Sequence, residues 1–128
     1  MEILASRVLF RPADYRRSLA FYRDAIGLAI AREYGAGTVF YAGQSLIELA
    51  GHGTPPASAP PFPGALWLQV RDVYATQAEL EGRGVEIARE AKQELWGLHE
   101  MHVADPDGVM LIFVQVPETH PLRQDTRR

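Results

Sequence analysis

Residues 7–28 read RVLFRPADYRRSLAFYRDAIGL, and residues 65–85 read ALWLQVRDVYATQAELEGRGV. Both segments follow one plan: an apolar strand, an aspartate, an amphipathic helix and a glycine turn into another strand. Asp14 corresponds to Asp72, at an offset of 58 residues. Because a unit of this size cannot bury a core of its own, the pattern predicts two stacked modules with a ligand-binding cup between them.

The composition is typical of a small globular protein. The chain has 128 residues, 47% of them hydrophobic, and a formal net charge of −3. No apolar run reaches the roughly 20 residues of a membrane span, and the first residues lack the features of a signal peptide, so we expect a cytoplasmic protein. Scattered basic residues argue against a nucleic-acid or membrane partner. The absence of cysteine excludes disulfides, thiol nucleophiles and zinc–thiolate sites.

The first module is expected to be a βαβββ unit over residues 3–51. Residues 4–10 predict a buried strand that Pro12 ends, and Asp14 is the expected helix cap. Leu19, Tyr22 and Ile26 form the apolar stripe of this helix, which ends at Gly27. Three further strands are predicted at residues 29–34, 38–42 and 45–50.

A linker over residues 52–64, HGTPPASAPPFPG, contains five prolines and separates the modules. The second module, residues 65–117, takes Asp72 as its helix cap, with later strands predicted at residues 85–88, 100–104 and 109–116. The DPDG sequence at 105–108 predicts a hairpin turn. We therefore expect one α+β domain over residues 1–122, with a curved mixed sheet that forms a cup, and a tail at 123–128.

Two segments carry a family resemblance: SLAFYRDAIGL at 18–28 and VADPDGVMLIFVQ at 103–115. With the two βαβββ modules, they resemble the vicinal oxygen chelate superfamily of glyoxalases, bleomycin-resistance proteins and extradiol dioxygenases. The resemblance covers about residues 3–122. It implies the glyoxalase/bleomycin-resistance fold and a homodimer, since binding proteins of this type usually pair.

The resemblance also implies four metal-ligand positions, which here hold Arg7, Glu48, Ala65 and Ile112. Of these side chains, only that of Glu48 can bind a divalent cation, whereas a catalytic metal site usually has at least three protein ligands. We therefore expect no metal and no cofactor.

Strand alternation predicts which side chains face the cup. Apolar walls with a few polar groups are typical of a small-molecule pocket, and the aromatic members favour a flat apolar or aromatic ligand. Trp67 and Trp96 also fit ordinary core or rim positions. The candidate ligand-binding residues are Arg7, Leu9, Tyr41, Glu48, Trp67, Gln69, Trp96, His102, Met110 and Ile112.

The polar candidates each fit two roles. Arg7 either replaces the lost cation by a salt bridge to Glu48 or binds a carboxylate or phenolate of the ligand. His102 either exchanges a proton with a bound oxygen or hydrogen-bonds a strand neighbour. His99 and His102 lie three apart in a strand, so their side chains point to opposite faces and do not chelate one metal together.

Two functions follow. The first is a metal-free binding protein of the bleomycin-resistance kind, which sequesters an apolar or aromatic drug or metabolite. The alternative is a superfamily enzyme (lyase, isomerase or dioxygenase). It would use either an atypical metal site that includes Glu48 and His102, or one of these residues as a general base while Arg7 stabilises an oxyanion.

Overall fold

The computed structural model describes residues 1–52, 57 and 62–123. Most of the predicted linker and the tail from residue 124 lie outside these residues. The chain divides into two units: Met1–Phe62 with Asp105–Gly108, and Pro63–Ala104 with Val109–Arg128. The described part contains no helix that is long and apolar enough to span a bilayer.

The first unit contains one four-stranded mixed sheet. Its elements are β1 (Val8–Phe10), α1 (Tyr15–Ala20), β2 (Ile30–Tyr34), β3 (Gly37–Ala42) and β4 (Ser45–Ala50). The strand order is β1-β4-β3-β2. β1 runs parallel to β4, and the other neighbours are antiparallel.

The second unit repeats this topology. Its elements are β5 (Ala65–Gln69), α2 (Val73–Gly82), β6 (Arg89–Gln93), β7 (His99–Ala104) and β8 (Met110–Gln115). The order β5-β8-β7-β6 matches that of the first sheet, again with a parallel first pair. An irregularity in register recurs in the edge strands β2 and β6. The predicted α+β class and the two βαβββ modules are confirmed.

Each helix begins at the aspartate that the repeat predicts. The Asp14 carboxylate accepts a hydrogen bond from the amide of Arg17 at 3.1 Å, and that of Asp72 accepts from Tyr74 and Ala75 at 3.0 Å each. These contacts satisfy amides that have no partner within the helix. After α1 the chain continues as a π-helical turn, Phe21–Ile26, which the sequence did not predict. Gly27 ends it with a left-handed φ of 83°.

Tyr22, within the π-helical turn, is fully buried. Its hydroxyl donates to Asp105 Oδ2 at 2.7 Å, and Asp105 Oδ1 accepts from the amide of Asp107 at 2.8 Å. Burial and the Asp105 carboxylate raise the pKa of Tyr22 far above its ordinary value, so the phenol remains a donor. The two segments that carried the family resemblance therefore meet in one buried hydrogen bond.

Two predicted strands need correction. The first is shorter than residues 4–10: β1 begins at Val8, and Leu4 is 85% exposed. The strand predicted at residues 85–88 is wrong, because the Val85 amide donates to Leu80 O at 3.0 Å and so completes the end of α2. The actual strand, β6, is a polar edge strand (REAKQ), which has no hydrophobic alternation to reveal it.

Replacing Tyr22 by Phe removes the buried hydroxyl with little change in shape. We expect the free energy of unfolding to fall by about 1.5–3 kcal/mol, because a buried carboxylate oxygen loses a donor. Urea or guanidinium unfolding curves measure the change. Tyr41→Phe, at a ring that is 55% exposed, is the control. Equal unfolding midpoints for the two variants would contradict the importance of this bond.

Candidate functional site

Apart from Trp96, the predicted site residues lie on one face of each sheet. In the first sheet, register places Leu9 beside Glu48, and Val39 and Arg32 continue the same row. In the second sheet, the corresponding row reads Trp67, Ile112, His102 and Arg89. Both rows end in an arginine on the edge strand. The first face thus holds Arg7, Leu9, Tyr41 and Glu48, and the second holds Trp67, Gln69, His102, Met110 and Ile112.

Glu48 is the centre of the first face. Arg7 Nη1 donates to Glu48 Oε1 at 3.0 Å, and the Tyr34 hydroxyl donates to Glu48 Oε2 at 2.5 Å. The Glu48 side chain is 11% exposed, whereas that of Arg7 is 38% exposed. Both carboxylate oxygens therefore have protein donors, and the salt bridge that was one alternative for Arg7 is present.

Gly37 makes the Tyr34 contact possible. Tyr34 on β2 pairs with Gly37 on β3, and its ring passes over this glycine toward Glu48 on β4. A Cβ atom on Gly37 would lie 2.2 Å from Tyr34 Cζ, so any other residue would displace the ring. Tyr34 is not among the candidate ligand-binding residues that the sequence predicts. The available signal was a glycine opposite a tyrosine across the short turn YGAG at 34–37.

These hydrogen bonds set the charge state of the first face. The Tyr34 hydrogen bond, together with Arg7, holds the pKa of Glu48 below its ordinary value of 4.5, although burial acts in the opposite direction. The same bond to Glu48 raises the pKa of Tyr34. Glu48 is therefore an anion at neutral pH and a weaker base than an ordinary carboxylate.

Apolar side chains adjoin this cluster. Leu9 is 45% exposed, and Tyr41, which shares the face through its pairing with Leu46, is 55% exposed. Exposed apolar groups beside a hydrogen-bonded ion pair match the mixed chemistry of small-molecule sites.

The second face is more apolar. Trp67 is 49% exposed, and its neighbour Ile112 packs on the buried cluster of Leu98, Val114 and Val116. Met110 is half-buried and Gln69 is exposed. Burial, with the nearby Arg89 guanidinium, lowers the pKa of His102 from its ordinary value of 6.5, so its imidazole is mostly neutral at pH 7.

Trp96 lies in the loop between β6 and β7. The amide of Glu94 donates to Leu98 O at 2.7 Å, and Gly97 adopts a φ of 91° to close the turn. Trp96 Nε1 donates to the buried carboxylate of Glu100 at 2.8 Å, which leaves the residue 58% exposed. Trp96 is therefore an oriented, accessible ring.

The residues do not fit a divalent metal. The side chains of Ala65 and Ile112 contain no metal-binding atom, and Arg7 and Tyr34 already occupy the oxygens of Glu48. His99 Nδ1 lies 2.7 Å from the Tyr74 hydroxyl on α2, whereas His102 lies in the row with Trp67. Across residues 1–52, 57 and 62–123, no three His, Asp or Glu side chains are grouped to hold an ion.

A family model, the Glyoxalase/Bleomycin resistance protein/Dioxygenase superfamily, matches residues 5–113. The chain belongs to this superfamily. The match confirms the resemblance that rested on the repeated modules and on residues 18–28 and 103–115, and the observed sheets give this superfamily member the glyoxalase-type fold.

Solved structures support the same fold. A glyoxalase/bleomycin resistance protein/dioxygenase from Nocardioides is 12% identical, with a TM-score of 0.71 over 94% of this chain and 89% of that chain. A glyoxalase/bleomycin resistance protein from Catenulispora acidiphila is 23% identical, with a TM-score of 0.67 over 90% and 100%. An Alicyclobacillus acidocaldarius relative is 14% identical, with a TM-score of 0.68 over 97% and 96%. No curated protein sequence matches the chain significantly.

Gly37→Ala should displace the Tyr34 ring and so break its hydrogen bond to Glu48. We expect a loss of about 1.5–3 kcal/mol of stability, typical of a hydrogen bond to a charged group. Chemical unfolding measures it. Gly35→Ala is the matched control in the same turn, because a Cβ there meets nothing within 4 Å. Equal effects of the two substitutions would contradict the explanation that the Tyr34 ring needs the space above Gly37.

The lowered pKa of Glu48 predicts a pH dependence. The folded state holds its Glu48 proton less tightly than the unfolded state, so the stabilisation exists above pH 4.5 and is lost as the pH falls through the lowered folded-state pKa. Glu48→Gln should be less stable than wild type at neutral pH, with a difference that shrinks in acid. Unfolding curves from neutral pH to below pH 4.5 measure this difference in stability. A difference that stays constant with pH would contradict the lowered pKa of Glu48.

Proposed function

We propose that this superfamily member is a metal-free binding protein that sequesters an apolar or aromatic drug or metabolite without changing it. The observation that carries the proposal is the bonding of Glu48, the sole carboxylate at the family's ligand positions, to Arg7 and Tyr34. With that carboxylate occupied, the faces offer contact surface rather than a metal centre. We further propose a cytoplasmic homodimer in which residues 1–122 act as one domain.

The exposed rings support binding. Trp67 on the second face and Tyr41 on the first are each about half exposed on otherwise ordered strands. Rigid aromatic side chains lose little conformational freedom when they stack on a ligand, and each aromatic pair adds about 0.5–1.5 kcal/mol beyond buried area. Trp96, oriented by Glu100, offers a further ring.

One observation favours the enzyme alternative. His102 is largely neutral at pH 7 and lies beside Ile112, in the row that contains Trp67. A neutral imidazole in such a position is able to accept a proton from a bound substrate. Glu48 is less suited to this role, because its pKa is lowered.

Binding is testable with neutral aromatic probes. In calorimetry, we expect 2-naphthamide and indole-3-acetamide to bind both wild type and Trp96→Phe, in which Trp67 is the only remaining tryptophan. In calorimetry, Trp67→Ala should weaken binding about two- to tenfold, from the loss of an aromatic pair. Leu122→Ala, at another exposed apolar side chain of the same unit, should leave affinity unchanged.

Failure of 2-naphthamide, indole-3-acetamide and their parent acids to bind, or equal effects of the two alanine variants, would contradict the proposal. Native mass spectrometry and elemental analysis complete the test, with an expected metal-free dimer and any co-purified molecule retained unchanged. Stoichiometric metal, or turnover of a co-purified molecule that His102→Asn abolishes, would favour the enzyme instead.

A further inference from the structure

We propose that the ligand carries an anionic oxygen, a carboxylate or a phenolate, and that Arg7 is its receptor, with Glu48 and Tyr34 as positioning residues. This inference rests on the proposed binding function and adds the chemical class of the ligand. It follows from the donors that the first face leaves unused.

Arg7 has N–H groups that are not used in its bond to Glu48. A guanidinium presents five N–H groups in a rigid fork. Among the described residues, its hydrogen-bonding partner is Glu48, through Nη1 alone. Since the side chain is 38% exposed, its remaining N–H groups are accessible to a ligand oxygen.

Glu48 is shielded from the ligand. Arg7 covers one of its oxygens and Tyr34 the other, and its side chain is only 11% exposed. A molecule that approaches this face therefore meets N–H groups before it meets carboxylate oxygens. This arrangement favours an anion over an ammonium group, which would need an open Glu48.

Arg32 adds positive charge to the same face. It lies in the row of Leu9, Glu48 and Val39, and its guanidinium carbon is 5.4 Å from the centroid of the Tyr34 ring. The row and the ion pair together contain two guanidinium groups, those of Arg7 and Arg32, and one carboxylate, that of Glu48. Their net charge is therefore +1. Leu9 and Tyr41 are exposed beside them to contact the apolar body of the ligand.

Tyr34 orients the receptor. Its hydroxyl fixes one oxygen of Glu48, so the other oxygen holds Arg7 in a single direction. Because Gly37 has no side chain, the Tyr34 ring lies over it with the hydroxyl directed at Glu48, so Tyr34 acts through Glu48 as a positioning residue. A preorganised fork binds an oxyanion with less loss of side-chain entropy than a free one.

The test compares acids with their amides, which match them in shape and lack the charge. The probes are 2-naphthoate against 2-naphthamide, and indole-3-acetate against indole-3-acetamide, titrated by calorimetry. We expect wild type to bind each acid about tenfold more tightly than its amide, equivalent to about 1.4 kcal/mol. The Arg7→Gln/Glu48→Gln double variant keeps the net charge of the chain, and it should lose this preference because it weakens acid binding more than amide binding.

A second readout concerns Tyr34. Gly37→Ala should weaken acid binding more than amide binding. The reason is that displacement of Tyr34 exposes one Glu48 oxygen and lets Arg7 move. Gly35→Ala should leave both affinities unchanged. A purely structural role for Tyr34 would instead weaken acids and amides equally.

The outcomes separate the two proposals. Equal affinity for acids and amides in wild type, or a preference that survives in the double variant, overturns the anionic ligand and leaves the binding function intact. Absence of binding by all four probes overturns both. Loss of the preference in the double variant, with amide binding retained, supports both.

Discussion

The hydrogen bond from Tyr22 to Asp105 is the contact on which the first unit depends. It joins the π-helical turn after α1 to the turn between β7 and β8, at a tyrosine that is fully buried. A buried carboxylate without such a donor is costly. The Tyr22 ring also lies 6.3 Å from that of Phe40, on the core side of β3. Tyr22 thus contacts both the 105–108 turn, through its hydroxyl, and the sheet that carries Glu48, through its ring.

The sequence predicts most of the fold because both copies of the repeat contain local signals for their helices and strands. Asp14 and Asp72 cap their helices through their own neighbouring amides. The prediction fails where a segment has no local signal, or where the same signal fits both a strand and the end of a helix. β6 is a polar edge strand, and Val85 belongs to the end of α2. The π-helical turn changes hydrogen bonding without changing the apolar pattern that residues 15–26 display.

The site is less predictable because its contacts depend on register between strands that are distant in sequence. Arg7 and Glu48 lie 41 residues apart, and the family resemblance alone suggested that they meet. Tyr34 reaches Glu48 across β3, which requires both the pairing of Tyr34 with Gly37 and the lack of a side chain there. Neither condition produces a periodic signal. Likewise, the bond from Trp96 to Glu100 depends on how the loop of Gly97 closes.

The two sheets show how one backbone plan supports different chemistry. The row of Glu48 in the first sheet corresponds to the row of Ile112 in the second. Both rows end in an arginine on the edge strand, but their other residues differ in chemistry. On the second face, Arg89 forms an ion pair with Glu94 of its own hairpin loop. On the first face, Arg7 supplies the cation that Glu48 needs, since an unpaired, mostly buried carboxylate would be destabilising. A covalently attached guanidinium is not lost to dilution or chelation, and unlike a metal ion it offers directed N–H groups to an oxyanion. At a position where the family resemblance implied a metal ligand, Arg7 therefore gives Glu48 a permanent cationic partner within the chain itself.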